Sequence, residues 1–505
     1  MTDVRKLPVT VTSVSAGTAQ SLRAEDTITR MIPRRFATIA LALLVTCLVH
    51  TSPGFATEIA RSPNIILVFI DDMGWADLSC FGNLEAQTPH IDRMATEGIA
   101  FEQFYVNSPI CSPSRVAIST GQYPQQWGIT SYLADREKNQ KRDMVNWLDP
   151  AAPSLARTFQ AAGYRTGHFG KWHMGGQRDV DDAPPIADYG FDESLTNFEG
   201  MGAKLLPLTM RPGDSEPGRI WEHAERLGEP VTWMQRSEIT GGFVDAALQF
   251  IAQAQEDNKP FYINLWPDDV HSPFFPPVEK WGDSKRALYL AVLEEMDRQL
   301  GALFDHVRDD PELRKDTVIL ICSDNGHEPG AGQGGVLKGS KGQLYEGGIR
   351  SPLIVWAPGR LHPEAINTRN KTSVLAAIDL VPSLLAISGV NQPEEKPYDG
   401  LDLHEVLLGQ SQASRSAPLF FSRPPHRKSY QGFVNLPDLA VRDGLWKLLC
   451  NFDGSDPQLY DIPSDPGETK NLADANPVVV KELTEKVLAW YGEMQGRAAK
   501  LNKSP

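Results

Sequence analysis

Two short runs of hard oxygen donors stand far apart in the 505-residue chain, Asp71-Asp72 and Asp324-Asn325. Each directly follows an apolar, β-branched segment, 64–70 and 317–322, where an open α/β sheet presents ligand-binding groups beyond the carboxyl ends of its strands. Three carboxylates and an amide from two strands suit Ca²⁺ or Mg²⁺ better than a soft metal. Either pair alone is an ordinary cap or turn. Two further strand-like segments bring a lysine and two imidazoles: 165–170 leads into Lys171-Trp172-His173, and 261–266 into His271 by way of two more carboxylates, Asp268-Asp269. Groups of these types pair with an anion and move protons near neutral pH.

Cys111 lies in the string Cys111-Ser112-Pro113-Ser114-Arg115. Ser112 as a cap and Pro113 in the first turn predict a helix through 116–120 with Cys111 at its positive end. Anions bind and thiols are activated at such ends. A thiolate is nevertheless a poor partner for a hard cation, so a thiol beside an oxygen-donor site calls for a different chemistry. His327 and Glu328, just past Asp324-Asn325-Gly326, are positioned to reach substrate beyond the reacting group. Trp75, Trp172 and Trp266 read as packing residues and Asp379 as a structural cap or turn.

The elements that must carry these residues read as buried parallel strands at 64–70, 165–170, 261–266, 317–322 and 353–356. Helical patterns at 153–162, 240–255, 289–308 and 374–387 alternate with them, as in an α/β sandwich. From about residue 411 the texture changes to a Pro- and Ser-rich link, short strands at 419–422, 439–443 and 446–452, and a helix at 477–496. This predicts a catalytic domain over 57–410 and a small α+β subdomain over 411–505. The stretch 175–236, rich in Pro, Gly and charge, reads as long loops that shape a binding site.

Residues 1–30 are polar and unpatterned. Met31 then opens a basic stub and an apolar run from 36 to 49, with small residues ending at Ala56. That pattern predicts a secretory signal peptide, a true start at Met31 and a secreted or periplasmic protein without a stable membrane span. Removing 1–56 takes away six Lys/Arg and three Asp/Glu, leaving 43 basic against 61 acidic residues. Such a surplus argues against nucleic acid as partner and requires any anion site to be built from a few local cations. Cys80, Cys111, Cys322 and Cys450 are too few and too scattered for a disulfide framework.

The string at 111–115, followed by Ser119-Thr120-Gly121, resembles the signature of the type I, formylglycine-dependent sulfatases of the arylsulfatase and N-acetylgalactosamine-6-sulfatase kind, in the alkaline phosphatase superfamily. The resemblance extends through Asp71-Asp72-Met73-Gly74-Trp75, Gly170-Lys171-Trp172-His173, Ser323-Asp324-Asn325-Gly326, 341–348 and 458–473. It implies a large mixed, mostly parallel sheet between helices, with a short antiparallel sheet in the C-terminal subdomain. It also implies that a maturation enzyme oxidises Cys111 to formylglycine, and that Asp71, Asp72, Asp324, Asn325 and the modified residue 111 hold Ca²⁺, with Mg²⁺ the alternative. Arg115 would hold the modified side chain. Lys171, His173, His271 and Lys341 would ring the sulfate, with His271, beside Lys341, the candidate general acid and His173 the base, or the two exchanged. Ala117-Ile118-Ser119 departs slightly from the more apolar run usual before Thr-Gly. The expected reaction is hydrolysis of a sulfated carbohydrate. The rivals are a phosphate or phosphonate ester hydrolase of the same fold and a non-catalytic glycan-binding relative.

Overall fold

The computed structural model describes residues 62–176, 180–197, 199–220, 230–393, 397–426 and 434–501. The signal-peptide reading and the Met31 start lie outside them. In chain order the strands are β1 (Asn64–Ile70), β2 (Ile99–Tyr105), β3 (Arg165–Gly170), β4 (Glu193–Leu195), β5 (Lys204–Thr209), β6 (Gly218–Arg219), β7 (Val231–Gln235) and β8 (Phe261–Trp266). They continue with β9 (Thr317–Ser323), β10 (Arg350–Trp356), β11 (Thr368–Asn370), β12 (Leu375–Ala376), β13 (Leu419–Ser422), β14 (Leu439–Asp443), β15 (Trp446–Cys450) and β16 (Gln458–Asp461).

A nine-stranded sheet runs β11-β2-β10-β9-β1-β8-β3-β4, with β12 also pairing β2. All its pairings are parallel except those of β10, which is antiparallel to both β9 and β2. The predicted strand at 353–356 is therefore real but reversed, and it begins three residues earlier. Strand β2 was not foreseen, because Glu102 and Gln103 interrupt its apolar run.

β1 shows why these strands read as continuous apolar runs. Ile65, Leu67 and Phe69 enter one core while Ile66, Val68 and Ile70 enter the other, so both faces are buried. Helices Cys111–Thr120, Leu155–Ala161 and Ala377–Ile387 contribute to the first core, and Pro89–Glu97, Ile239–Glu256 and Lys285–Asp309 to the second.

The C-terminal region forms the antiparallel sheet β13-β14-β15-β16, whose fourth strand the sequence reading missed. The helix Pro477–Leu501 packs Leu483, Val487, Trp490 and Met494 into a third core. That core also takes Tyr105, Ala117 and Ile349, so the small sheet shares apolar contacts with the elements around the site.

The 175–236 stretch is not all loop. It carries β4 on the edge of the large sheet and a separate three-stranded sheet, β6-β5-β7. These strands are short and part-exposed, which leaves too little alternation to recognise in sequence.

Candidate active site

The ends of β1 and β9 are hydrogen-bonded neighbours, and this joins the two oxygen-donor pairs. Asp324 N–H donates to the Ile70 carbonyl (3.0 Å), Asp72 N–H to Asp324 Oδ1 (3.1 Å) and Met73 N–H to Ser323 Oγ (3.0 Å). Asp72 holds a left-handed backbone, φ 61°, an uncommon state for a side-chain-bearing residue at the turn out of a strand. On the other side of β1, Asp71 N–H donates to the Pro267 carbonyl (3.0 Å), which ties the pair to the end of β8.

The β3 end arrives through Gly170, φ 121°, where a Cβ would stand 2.2 Å from the Trp266 carbonyl oxygen. Only glycine lets the two strands approach so closely. Lys171 N–H then bonds the same carbonyl (2.9 Å), and its ammonium donates to Asp71 Oδ2.

The helix begins at Cys111 itself, with Ile110 in the extended cap position, and not after a Ser112 cap as the sequence suggested. Ser112 Oγ instead accepts from Leu133 N–H (2.9 Å), a long-range bond that local reading cannot see. Arg115 follows one turn later, on the same helix face as Cys111, and is fully buried. Its guanidinium donates to Asp324 Oδ2 (2.9 Å) and to the Lys171 carbonyl (2.8 Å), lies 3.5 Å from Asp71 Oδ1 and stacks over Trp266 at 5.2 Å. The Cys111 Sγ and one carboxylate oxygen each of Asp71 and Asp324 lie within 4.8 Å of one another.

Lys341 reaches the cluster from the loop before β10 and donates to Asp72 Oδ2 at 2.5 Å. His271 Nε2 is 3.6 Å from that oxygen, and its Nδ1 faces the Ser272 carbonyl at 2.7 Å. The His271 side chain is 35% exposed, whereas the other groups of the cluster are almost completely buried. His173 is buried, with Nε2 3.2 Å from the Leu133 carbonyl and 3.5 Å from Glu199 Oε1.

Ten of the twelve residues singled out from sequence thus gather in one place, while Glu328 turns to Lys285, 2.8 Å away. His327 stands behind the cluster. Its Cβ packs on Gly74 and Gly332, and its carbonyl accepts the Lys341 N–H (3.1 Å). Burial draws its imidazole down to about 4. Trp172 and Trp266 are packing residues, as read. Asp379 is structural too: it accepts from the N–H groups of Ala376 (2.8 Å) and Leu401 (2.7 Å). Sequence reasoning missed Glu199, the carboxylate beside His173, because nothing in its local string marks it.

The electrostatics follow from three carboxylates and three cations in a dry space. Burial pushes Asp71 up, but Lys171, His271 and Arg115 outweigh it and hold the carboxyl well below the usual range. Asp324 goes the other way, raised by burial and then by the charge of Asp71. Burial raises the Cys111 thiol despite Lys171 and Lys341, so the helix end does not deliver a reactive thiolate. Burial, then Lys171 and Arg115, lower His173 well below the ordinary histidine range. His271 is lowered by burial and then by Lys341.

The donor chemistry fits a hard divalent cation. Asn325 donates its Nδ2 to Asp72 Oδ1 (2.7 Å), while its buried Oδ1 has no hydrogen-bond partner, and Asp71 Oδ1 has none either. Buried acceptors without donors are rare and expensive, and a cation satisfies them directly. The four cysteines among the described residues are free thiols.

A family model described as Sulfatase matches residues 63–390, and one described as N-sulphoglucosamine sulphohydrolase, C-terminal, matches residues 339–491. Arylsulfatase A of Homo sapiens is 29% identical over 468 residues, covering 85% of this chain and 87% of its own. N-acetylgalactosamine-6-sulfatase of Canis lupus familiaris is 32% identical over 374 residues, covering 72% and 69%. The solved structure of Ps i-CgsB in complex with k-i-k-neocarrahexaose aligns with a TM-score of 0.71 at 25% identity, over 85% of this chain and 93% of that one. With the match spanning well over half of its length, the chain belongs to the sulfatase family and is a sulfuric ester hydrolase on an alkaline-phosphatase-like fold.

Proposed function

We propose that this sulfatase removes sulfate from a carbohydrate, using a formylglycine made from Cys111 and a calcium ion held by Asp71, Asp72, Asp324, Asn325 and the modified residue 111. The observation that carries the reading is the setting of Cys111. It is a buried thiol with a raised pKa at a helix start, packed among carboxylates that suit a hard cation and between two lysines. A thiol is the wrong chemistry there, whereas a hydrated aldehyde offers oxygen to both the cation and the sulfur.

The hydrate supplies two hydroxyls, one to attack sulfur and one whose deprotonation lets sulfate depart, and the bound cation supplies positive charge beside them. Around them, the Lys171 and Lys341 ammonium groups offset charge on the sulfuryl oxygens. Arg115 holds the residue-111 side chain and keeps Asp71 and Asp324 in place. His271, part-exposed at the mouth, gives a proton to the departing alcohol oxygen. Burial and Lys341 lower its pKa, which works against the protonated form, so in this role the negative charge of the ester beside it has to favour the proton. His173, neutral in its buried setting, takes the proton from the second hydroxyl. His327, packed behind the cluster on Gly74 and Gly332, is left without a direct part in this chemistry.

A carbohydrate ester is supported by relatives named for N-acetylgalactosamine-6-sulfate chemistry in Canis lupus familiaris and Bacteroides thetaiotaomicron. It is also supported by a structural neighbour bound to neocarrahexaose. Export is supported by the stub and apolar run at 31–56. No helix among the described residues is long and apolar enough to cross a membrane. In this reading residues 57–410 carry the chemistry and 411–505 brace it.

The test is the mass of the peptide containing residue 111, from protein made together with its maturation enzyme, followed by assays on sulfated monosaccharides beside phosphate and phosphonate esters. The aldehyde and selective turnover of sulfated sugars are expected. A persistent thiol without activity would overturn the reading, and metal analysis separates Ca²⁺ from Mg²⁺.

A further inference from the structure

Asn197 and the pair Glu199-Gly200, inside the stretch between the two histidine loops, touch both of them. Asn197 Nδ2 donates to Asp268 Oδ1 at 2.7 Å. Asp268 in turn accepts from Arg236 and receives the His271 N–H on its carbonyl at 3.0 Å. On the other side, Gly200 (φ 75°) lies so close to the His173 loop that a Cβ would stand 3.2 Å from Trp172 Cβ. Gly176 (φ 121°), at the end of that loop, lies as tightly on the Gly200 backbone, with 3.1 Å left for a Cβ.

Glu199 is therefore pressed onto the loop that carries His173. Its side chain is 0% exposed, that of His173 is 5% exposed, and Oε1 stands 3.5 Å from Nε2. Both residues hold a left-handed backbone, φ 56° and 53°. For residues other than glycine that state costs about 1–3 kcal/mol each and persists where surrounding contacts over-determine it, most often at functional sites. The Glu199 carbonyl accepts from Thr196 Oγ1 (3.0 Å), which helps to hold Glu199 in place.

His173 Nε2 thus stands between two acceptors, the Leu133 carbonyl at 3.2 Å and the Glu199 carboxylate. A carbonyl cannot donate, so Nε2 carries the ring proton and the lone pair of the neutral imidazole lies on Nδ1. A carboxylate or carbonyl on one nitrogen is the general means of fixing which nitrogen of a histidine does the work. We propose that Glu199 is a positioning residue: with the Leu133 carbonyl it locks His173 in the Nε2–H tautomer and orients Nδ1 to accept a proton. The part His173 plays in turnover rests on the function proposed above. The tautomer lock does not.

The test separates the two. Imidazole ¹⁵N NMR on protein with the unmodified Cys111 thiol, with His173→Gln identifying the signal, reads the tautomer without any turnover. The parent is expected to show the Nε2–H form, Glu199→Ala a mixture of tautomers, and Glu199→Gln, whose amide oxygen still accepts, the parent form. In converted enzyme Glu199→Ala should lose about 10–100-fold in kcat with KM little changed, as for loss of a histidine's outer partner, and Glu199→Gln should recover most of it. An unchanged tautomer in Glu199→Ala overturns the proposal. So does a Glu199→Gln variant as impaired as Glu199→Ala, since the two side chains differ in their ability to accept at Nε2. A tautomer shift in a protein that hydrolyses no sulfate ester would refute the functional reading while bearing out the lock.

Discussion

Lys447→Met should destabilise the protein in a pH-dependent way. The ammonium of Lys447, on β15, lies 2.9 Å from Glu346 Oε1 and 2.9 Å from Glu468 Oε1, and all three side chains are 0% exposed. Glu346 also accepts from Tyr105 OH (2.8 Å) and Arg350 Nη1 (3.3 Å), and its N–H donates to Glu468 Oε2 (2.7 Å). Removing the cation leaves two buried carboxylates facing each other, and breaking a buried pair in this way costs about 3–5 kcal/mol. Burial, and then the charge of Glu346, push the Glu468 carboxyl up to about 7 against the pull of Lys447.

Glu468 can therefore relieve the variant by taking a proton, so the loss is smallest near pH 5 and largest near pH 8. At an unfolding entropy of roughly 2.1 cal/mol/K per residue, 3–5 kcal/mol in a unit of this size lowers Tm by roughly 3–5 °C. Calorimetry at both pH values is the assay, with Lys447→Met/Glu468→Gln expected to recover more than half of the loss at pH 8. A Tm at pH 8 within roughly 1 °C of the parent would refute the reasoning, since that is less than one kcal/mol on the same scale. The bridge also bears on the site. Gly347 N–H bonds the Lys338 carbonyl (2.7 Å) and Gly326 N–H the Gly348 carbonyl (3.0 Å), so the segment that Lys447 anchors also holds Lys341 and Asn325.

Four further outcomes are expected. Because the folded-state pKa of Glu468 lies above its unfolded value, its contribution to stability is fully present below the ordinary glutamate range and is lost as pH rises through about 7; Glu468→Gln should flatten the Tm–pH profile there, and an unchanged profile counts against it. Chelation should abolish hydrolysis, and Ca²⁺ at 100 times its Kd should restore it with about 2.7 kcal/mol of added stability, read as a rise in Tm; full activity after exhaustive chelation contradicts the metal assignment. Lys341→Met, which removes the cation on Asp72 Oδ2, should lower kcat by about 10²–10³-fold, and a loss confined to KM would assign it to binding alone. His271→Ala should harm sugar sulfates far more than nitrophenyl sulfate, whose leaving group needs no proton, and equal losses would remove the acid role.

What the sequence disclosed and what it withheld divide along a physical line. Asp71, Asp72, Lys171, His271, Asp324 and Asn325 were legible because each follows a fully buried strand by a few residues, and such strands announce themselves as apolar runs. Cys111 and Arg115 were legible from one short string that keeps both on one helix face. The residues that hold these groups in place act through space and left no local trace. Ser112 looked like a cap because its partner, Leu133, is 21 positions away. Lys447 is the one charged residue in β15, and its partner Glu346 is 101 positions away, with both side chains buried. Glu199 sat in a stretch without periodicity, placed by two left-handed turns that sequence does not encode in any side-chain pattern. A site's reacting groups are thus readable where topology fixes their address, whereas their orientation depends on long-range contacts. The proposed chemistry needs both: a neutral imidazole at the right address with its lone pair on the wrong nitrogen would still be an ineffective base.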